Sequence, residues 1–157
     1  PMSGHAKFIP AAKALTLATP GLVAATACGP DPMIGNWDGT SFTYEGETTN
    51  LPYVYTYTYG AYSIETTTDL RMNLTEDYTG AFVISFEYVY NGVVDPNYSG
   101  DESYSLTSTK IEKGQWDVTV PQYYTLELSC TELNDTLNCF GTDEDNAAYD
   151  IDFVRGI

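Results

Sequence analysis

The plainest signal along the chain is alternation. Residues 53–59 read Tyr-Val-Tyr-Thr-Tyr-Thr-Tyr, which places Tyr53, Tyr55, Tyr57 and Tyr59 on one side of a strand and Val54, Thr56 and Thr58 on the other. The same period returns further on. Leu70, Met72 and Leu74 oppose Arg71 and Asn73, and Phe82, Ile84, Phe86, Tyr88 and Tyr90 share a face expected to be core. Trp116, Val118 and Val120 follow, then Tyr124, Leu126, Leu128 and Cys130, and near the end Tyr149, Ile151, Phe153 and Arg155. Turn residues cluster at 75–80, 112–115 and 134–135, and no helical period survives after residue 28. Eight or nine short strands with a turn every ten residues or so predict an all-β chain. An antiparallel up-and-down barrel is the expected architecture, with a β-sandwich as the alternative. Closure would hide strand edges that few lysines protect.

The first 27 residues break this pattern. Lys7 and Lys13 precede an uncharged apolar run over 14–27, interrupted by Pro20-Gly21. The run is shorter than the ~20 residues of a membrane-spanning helix. It predicts a signal peptide over 1–27, with the small residues Ala25-Thr26-Ala27 before the cut. Cys28 would then be the first mature residue. This arrangement resembles the lipobox of bacterial lipoproteins, which implies lipidation of Cys28 and a membrane anchor there. Ala25 stands where that family has Leu, and simple secretion after Ala27 is the alternative. Residues 28–32 read as a proline-stiffened tether, and 33–157 as one domain.

Export agrees with the cysteines. A two-residue turn at Asn134-Asp135 pairs Leu133 with Thr136 and Cys130 with Cys139. That is a non-hydrogen-bonded pair, with a Cα separation of ~4.5 Å at the short end of the disulfide range. Cys28 is left over, as a lipidated residue would be.

Gly35-Asn36-Trp37 opens the first predicted strand. The pattern resembles the Gly-x-Trp of lipocalins and their calycin relatives. The resemblance implies a lipocalin-like barrel closed at one end by Trp37, with Arg155 of the last strand packed across it. It also implies a small apolar or aromatic ligand in the barrel mouth. Tyr53, Tyr55, Tyr57, Tyr59 and Trp116 are the candidate ligand-binding residues, because aromatic rings bury large areas and tyrosine still offers a hydroxyl. Cross-strand packing is the plainer use of such a stripe.

Charge narrows the function further. Twenty-two acidic residues against four basic ones leave a formal charge of −18 after residue 27, which excludes nucleic acid as a partner. The single histidine, His5, lies in the leader, so the mature chain lacks imidazole. No catalytic residues are expected and the chain reads as a non-enzyme. The segment 91–103 reads as the longest loop, and within it Asp95, Asn97, Ser99 and Asp101 space oxygen ligands as a Ca²⁺ loop begins, but Leu106 stands where the closing glutamate belongs. Calcium is therefore the one cofactor candidate, against a plain acidic turn. The reading is an extracytoplasmic bacterial protein, at the outer membrane, cell surface or periplasm, that binds a small ligand. The alternative is a structural or adhesive surface protein that acts through protein contacts and self-assembly.

Overall fold

The computed structural model describes residues 29–122 and 125–157. The expected signal peptide, 1–27, and the expected lipidation site, Cys28, lie outside the described residues. Eleven strands follow in order: β1 Gly35–Tyr44, β2 Glu47–Asn50, β3 Tyr53–Tyr59, β4 Tyr62–Leu74, β5 Thr79–Tyr90, β6 Val93–Val94, β7 Gly100–Glu112, β8 Gln115–Val120, β9 Leu126–Leu133, β10 Thr136–Thr142 and β11 Ala148–Arg155.

Eight of them, β1, β4, β5, β7, β8, β9, β10 and β11, pair antiparallel in chain order, and β1 closes the circle against β4. The fold is thus a closed, lipocalin-like up-and-down barrel; the β1–β4 pairing from Gly35↔Leu74 to Asp38↔Arg71 removes the sandwich alternative. Its interior is filled by the alternating positions. Trp37, Met72, Leu74, Phe82, Leu106, Trp116, Val118, Leu126, Leu137, Ile151 and Phe153 are all buried.

The β9–β10 hairpin has the predicted register, Leu133↔Thr136 and Cys130↔Cys139. Asn134 and Asp135 take φ of 56° and 60°, the two left-handed residues of a type I′ turn, whose twist matches that of the strands. Cys130 and Cys139 form a disulfide with a Cα separation of 4.0 Å. Both are fully buried, because Cys130 shares the inward face of Leu126 and Leu128.

At one end the barrel is sealed. Trp37 is fully buried and its indole N–H donates to the Met33 carbonyl at 2.9 Å. The Arg155 guanidinium lies 4.0 Å over the Trp37 ring. It donates to the carbonyls of Ile34, at 2.8 Å, and Pro32. The residues expected as the end of a tether are docked here: Asp31 accepts from the N–H groups of Met33 and Gly114 and pairs with Lys110 at 2.7 Å.

At the other end two expectations need correcting. Of the face over 81–90 expected to be core, Phe82 is buried, Ile84 half-buried, and Phe86 and Tyr90 exposed. β4 and β5, at 13 and 12 residues, are longer than the barrel wall is tall, and their upper halves leave it. The segment 91–103, expected as a loop, contains β6 and the start of β7.

Candidate functional site

The barrel wall divides at Gly39. Below it β1 pairs with β4; above it the same edge of β1 pairs with β2, from Ser41↔Asn50 to Tyr44↔Glu47. The ladder of β1 on β11 shifts register between Gly39 and Ser41, a bulge that turns the strand away. A Cβ at Gly39 would stand 2.9 Å from the Leu70 carbonyl oxygen and 2.9 Å from a Leu51 methyl, so only glycine fits where the two walls part.

β4 follows the opposite course. Above Leu70 it pairs with β3 on the side that β1 has vacated, from Tyr53↔Thr68 to Tyr59↔Tyr62. Strands β3, β4 and the upper half of β5 therefore form a wing that stands beyond the barrel rim. The cross-strand pairs Tyr57↔Ile64, Ile64↔Tyr90 and Thr68↔Phe86 put the tyrosines of β3 on one face with Ile64, Phe86, Tyr88 and Tyr90. By the period of two, this face continues the barrel interior from Met72 and Leu70. It is decked with rings: Tyr62 stacks on Tyr90 at 5.9 Å and Tyr88 meets Tyr98 at 5.6 Å. Tyr59 is 72% exposed and Tyr55 51%, so no protein packs over them among the described residues.

Where the wing departs, a cleft of about 370 Å³ opens into the rim. Phe42, Leu51, Tyr53, Leu70, Phe82 and Ile84 line it, with Thr49, Thr68 and Asp69 as its polar groups. Beyond β5 lies a second, more polar depression of about 570 Å³, bordered by Phe86, Glu102, Tyr104 and Glu144. Among the described residues the barrel interior beneath both is occupied by buried side chains such as Trp37, Met72, Phe82 and Phe153, and both spaces open at the rim.

The electrostatics of the two ends differ. Lys110 and Arg155 sit at the sealed end with Asp31 and Asp135, Lys113 lies in the adjacent β7–β8 turn, and Arg71 on the outer wall pairs with Asp101 at 3.1 Å. The turns at the open end carry Glu45, Asp95, Asp143, Glu144 and Asp145, with no Lys or Arg among the described residues there. The mouth thus favours a neutral or cationic guest and repels an anion.

Of the candidate ligand residues, Tyr53 lines the cleft and Tyr55, Tyr57 and Tyr59 continue from it across the wing. Trp116 is not with them. It is buried at the sealed end, 5.2 Å from the Tyr78 ring. Three of the four calcium candidates bond through an oxygen to groups of the protein itself. Asp95 accepts from the backbone and side chain of its neighbour Asn97, the Ser99 hydroxyl accepts from the Tyr88 N–H, and Asp101 turns to Arg71. Among the described residues no three acidic, histidine or cysteine side chains converge. Phe42, Leu51, Leu70 and Ile84 were not legible as site residues; the lone Leu51 directly after the polar stretch 45–50 was the available signal.

The chain matches no protein-family model, no curated protein and no solved structure.

Proposed function

We propose that this chain is an exported binding protein, held at a bacterial membrane through a lipidated Cys28, which takes a small neutral or cationic apolar or aromatic molecule in the rim cleft. The cleft between β1 and β4 carries the reading: six apolar side chains beside three polar groups is the composition of a small-molecule site. The acidic mouth selects against carboxylates and phosphates. The resemblance to lipocalins and the lipobox-like leader support the class and the address, and the buried disulfide suits an oxidising compartment. A second reading, a structural or adhesive surface protein, draws on the uncovered edge of β3.

The test is a titration with the neutral probe N-phenyl-1-naphthylamine, followed by its fluorescence. Saturable binding is expected, weakened about tenfold by Leu51→Ala, since burying a leucine contributes ~1.5–3 kcal/mol and each 1.4 kcal/mol is tenfold. The anionic relative 1-anilinonaphthalene-8-sulfonate should bind more weakly. Unsaturable uptake, or equal binding by the variant, would remove the cleft as the site.

A further inference from the structure

We infer that β3 is an assembly edge: it pairs antiparallel with β3 of a second copy, about a two-fold axis through Thr56, and joins two wings into one tyrosine-faced sheet. This goes beyond ligand binding in the cleft and does not depend on it.

Among the described residues the main path of the sheet ends in β2 and β3, and the two-residue β6 is a short side edge on β5. β2 has four residues and carries Glu47. β3 has seven, every one exposed, with no charge and no proline. Natural sheets blunt such an edge with lysine, proline or a bulge, because an open row of N–H and C=O groups recruits another strand. β3 carries none of these. It has the β-branched and aromatic content that pairs well.

Its hydrogen-bonding geometry is self-complementary. Gly60, at φ 61°, starts a two-residue loop that closes Tyr59 against Tyr62. The closing pair of such a hairpin is hydrogen-bonded, and bonded pairs then alternate down the ladder. Tyr59, Tyr57, Tyr55 and Tyr53 thus spend their backbone groups on β4. The Thr66 hydroxyl donating to the Tyr55 carbonyl at 3.4 Å shows that carbonyl facing β4. Val54, Thr56 and Thr58 turn theirs to the outer edge. Centring the axis on Thr56 sets Thr56 against Thr56 and Val54 against Thr58, and it alone uses all three outward residues of both copies. About six hydrogen bonds form. In the same register Tyr55 opposes Tyr57 and Tyr53 opposes Tyr59 on one face, the closely spaced aromatic pairs that stabilise neighbouring strands.

Charge permits this contact and few others. Glu65, opposite Thr56 on β4, is the nearest carboxylate to the axis. Three strand spacings of ~4.8 Å separate it from its symmetry mate, roughly 14 Å against a Debye length of ~8 Å at physiological salt. An edge of seven residues is small beside the ~1,200–2,000 Å² of a stable interface, so the dimer is reversible, with a Kd in the micromolar range or weaker.

Sedimentation velocity of the mature chain from low micromolar to near-millimolar concentration should show a monomer–dimer equilibrium. Thr56→Pro removes an outward N–H that β4 does not use, and proline is accepted on that side of an edge. It should weaken dimerisation at least tenfold while leaving the melting temperature and probe binding in the cleft unchanged. Thr56→Lys, which sets two ammonium groups at the axis, should act alike. Register is read by oxidative cross-linking in a Cys28→Ser background: Y55C/Y57C should give a covalent dimer and neither single substitution should. A chain monomeric at every concentration, a Thr56→Pro variant that dimerises as the parent does, cross-links from Y55C alone, or species larger than a dimer would each overturn the pairing. Because Thr56→Pro is monomeric by design, loss of the dimer and loss of the cleft reading are told apart in one protein.

Discussion

Arg155 is a single side chain that closes one end of the molecule. Its guanidinium covers the Trp37 ring and its N–H groups satisfy the carbonyls of Ile34 and Pro32, so it staples the entering segment to the last strand. A desolvated cation–π contact contributes up to ~2 kcal/mol and a charged hydrogen bond ~1.5–3 kcal/mol. Arg155→Ala is expected to lower stability by about 3 kcal/mol in denaturant unfolding. Lysine should restore little, because an ammonium lacks the planar fork that reaches two carbonyls while lying flat on a ring. Asp31 is the second residue of this kind. Burial pushes its carboxyl up, but the Lys110 ammonium and the Met33 and Gly114 N–H groups outweigh that, and its pKa lies below the ordinary value. Lys110 is raised by the same partner. A lowered carboxylate stabilises the fold above its unfolded pKa, and this is lost as pH falls through the folded value. The raised lysine contributes below its unfolded pKa and is lost as pH rises through the folded one. The pair therefore supports the fold between about pH 4 and pH 10. Asp31→Asn should lower the melting temperature inside that window and leave it nearly unchanged at pH 2, measured by thermal unfolding across pH.

Among the elements, the β9–β10 hairpin and the wing are opposites. The hairpin has an ideal turn, an inward face of Leu126, Leu128 and Cys130, and a covalent tie. Its disulfide closes a loop of nine residues' separation, which restricts the unfolded chain by about 2–3 kcal/mol. Replacing both cysteines by alanine should lower stability by that amount or somewhat more, since the pair also fills the core, yet leave the far-ultraviolet circular dichroism intact. Among the described residues the wing has no second layer. Its strands hold one another by backbone ladders and a few ring contacts while one face stays uncovered, so its local opening free energy is expected to be low. In native-state hydrogen exchange of the monomeric Thr56→Pro variant, amides of β3 should exchange far faster than those of β8 and β9.

For the whole molecule, polarity is the main property. One end is packed, ion-paired and fed by the N-terminal segment; the other is open, acidic and aromatic. On the proposed anchoring, a lipid on Cys28 would lie three residues before Asp31, which docks at the sealed end, and would direct the mouth and wing away from the membrane. Mass spectrometry of protein taken from its native membrane should find acyl chains on Cys28; an intact Ala27–Cys28 peptide bond would end the anchor reading.

Local chemistry wrote much of this into the sequence. The period of two marked the strands, and Asn134-Asp135 set the hairpin register and with it the Cys130–Cys139 pair. These are properties of neighbours along a strand or across a turn, and they need no knowledge of the rest. The meeting of Trp37 with Arg155 was instead what the resemblance to lipocalins implied. What alternation leaves undetermined is which inward face is covered. Phe82 and Phe86 are four residues apart on one face of one strand, yet one is core and the other exposed, because β1 leaves β4 at Gly39 and β3, which takes its place, extends into the wing instead of closing over the face above Phe82. Trp116 and Tyr53 looked alike as aromatic candidates and lie at opposite ends. Burial depends on partners far away in the chain, and only closure of the barrel decided where the wall stops, where the cleft opens and which strand is left with an edge to offer.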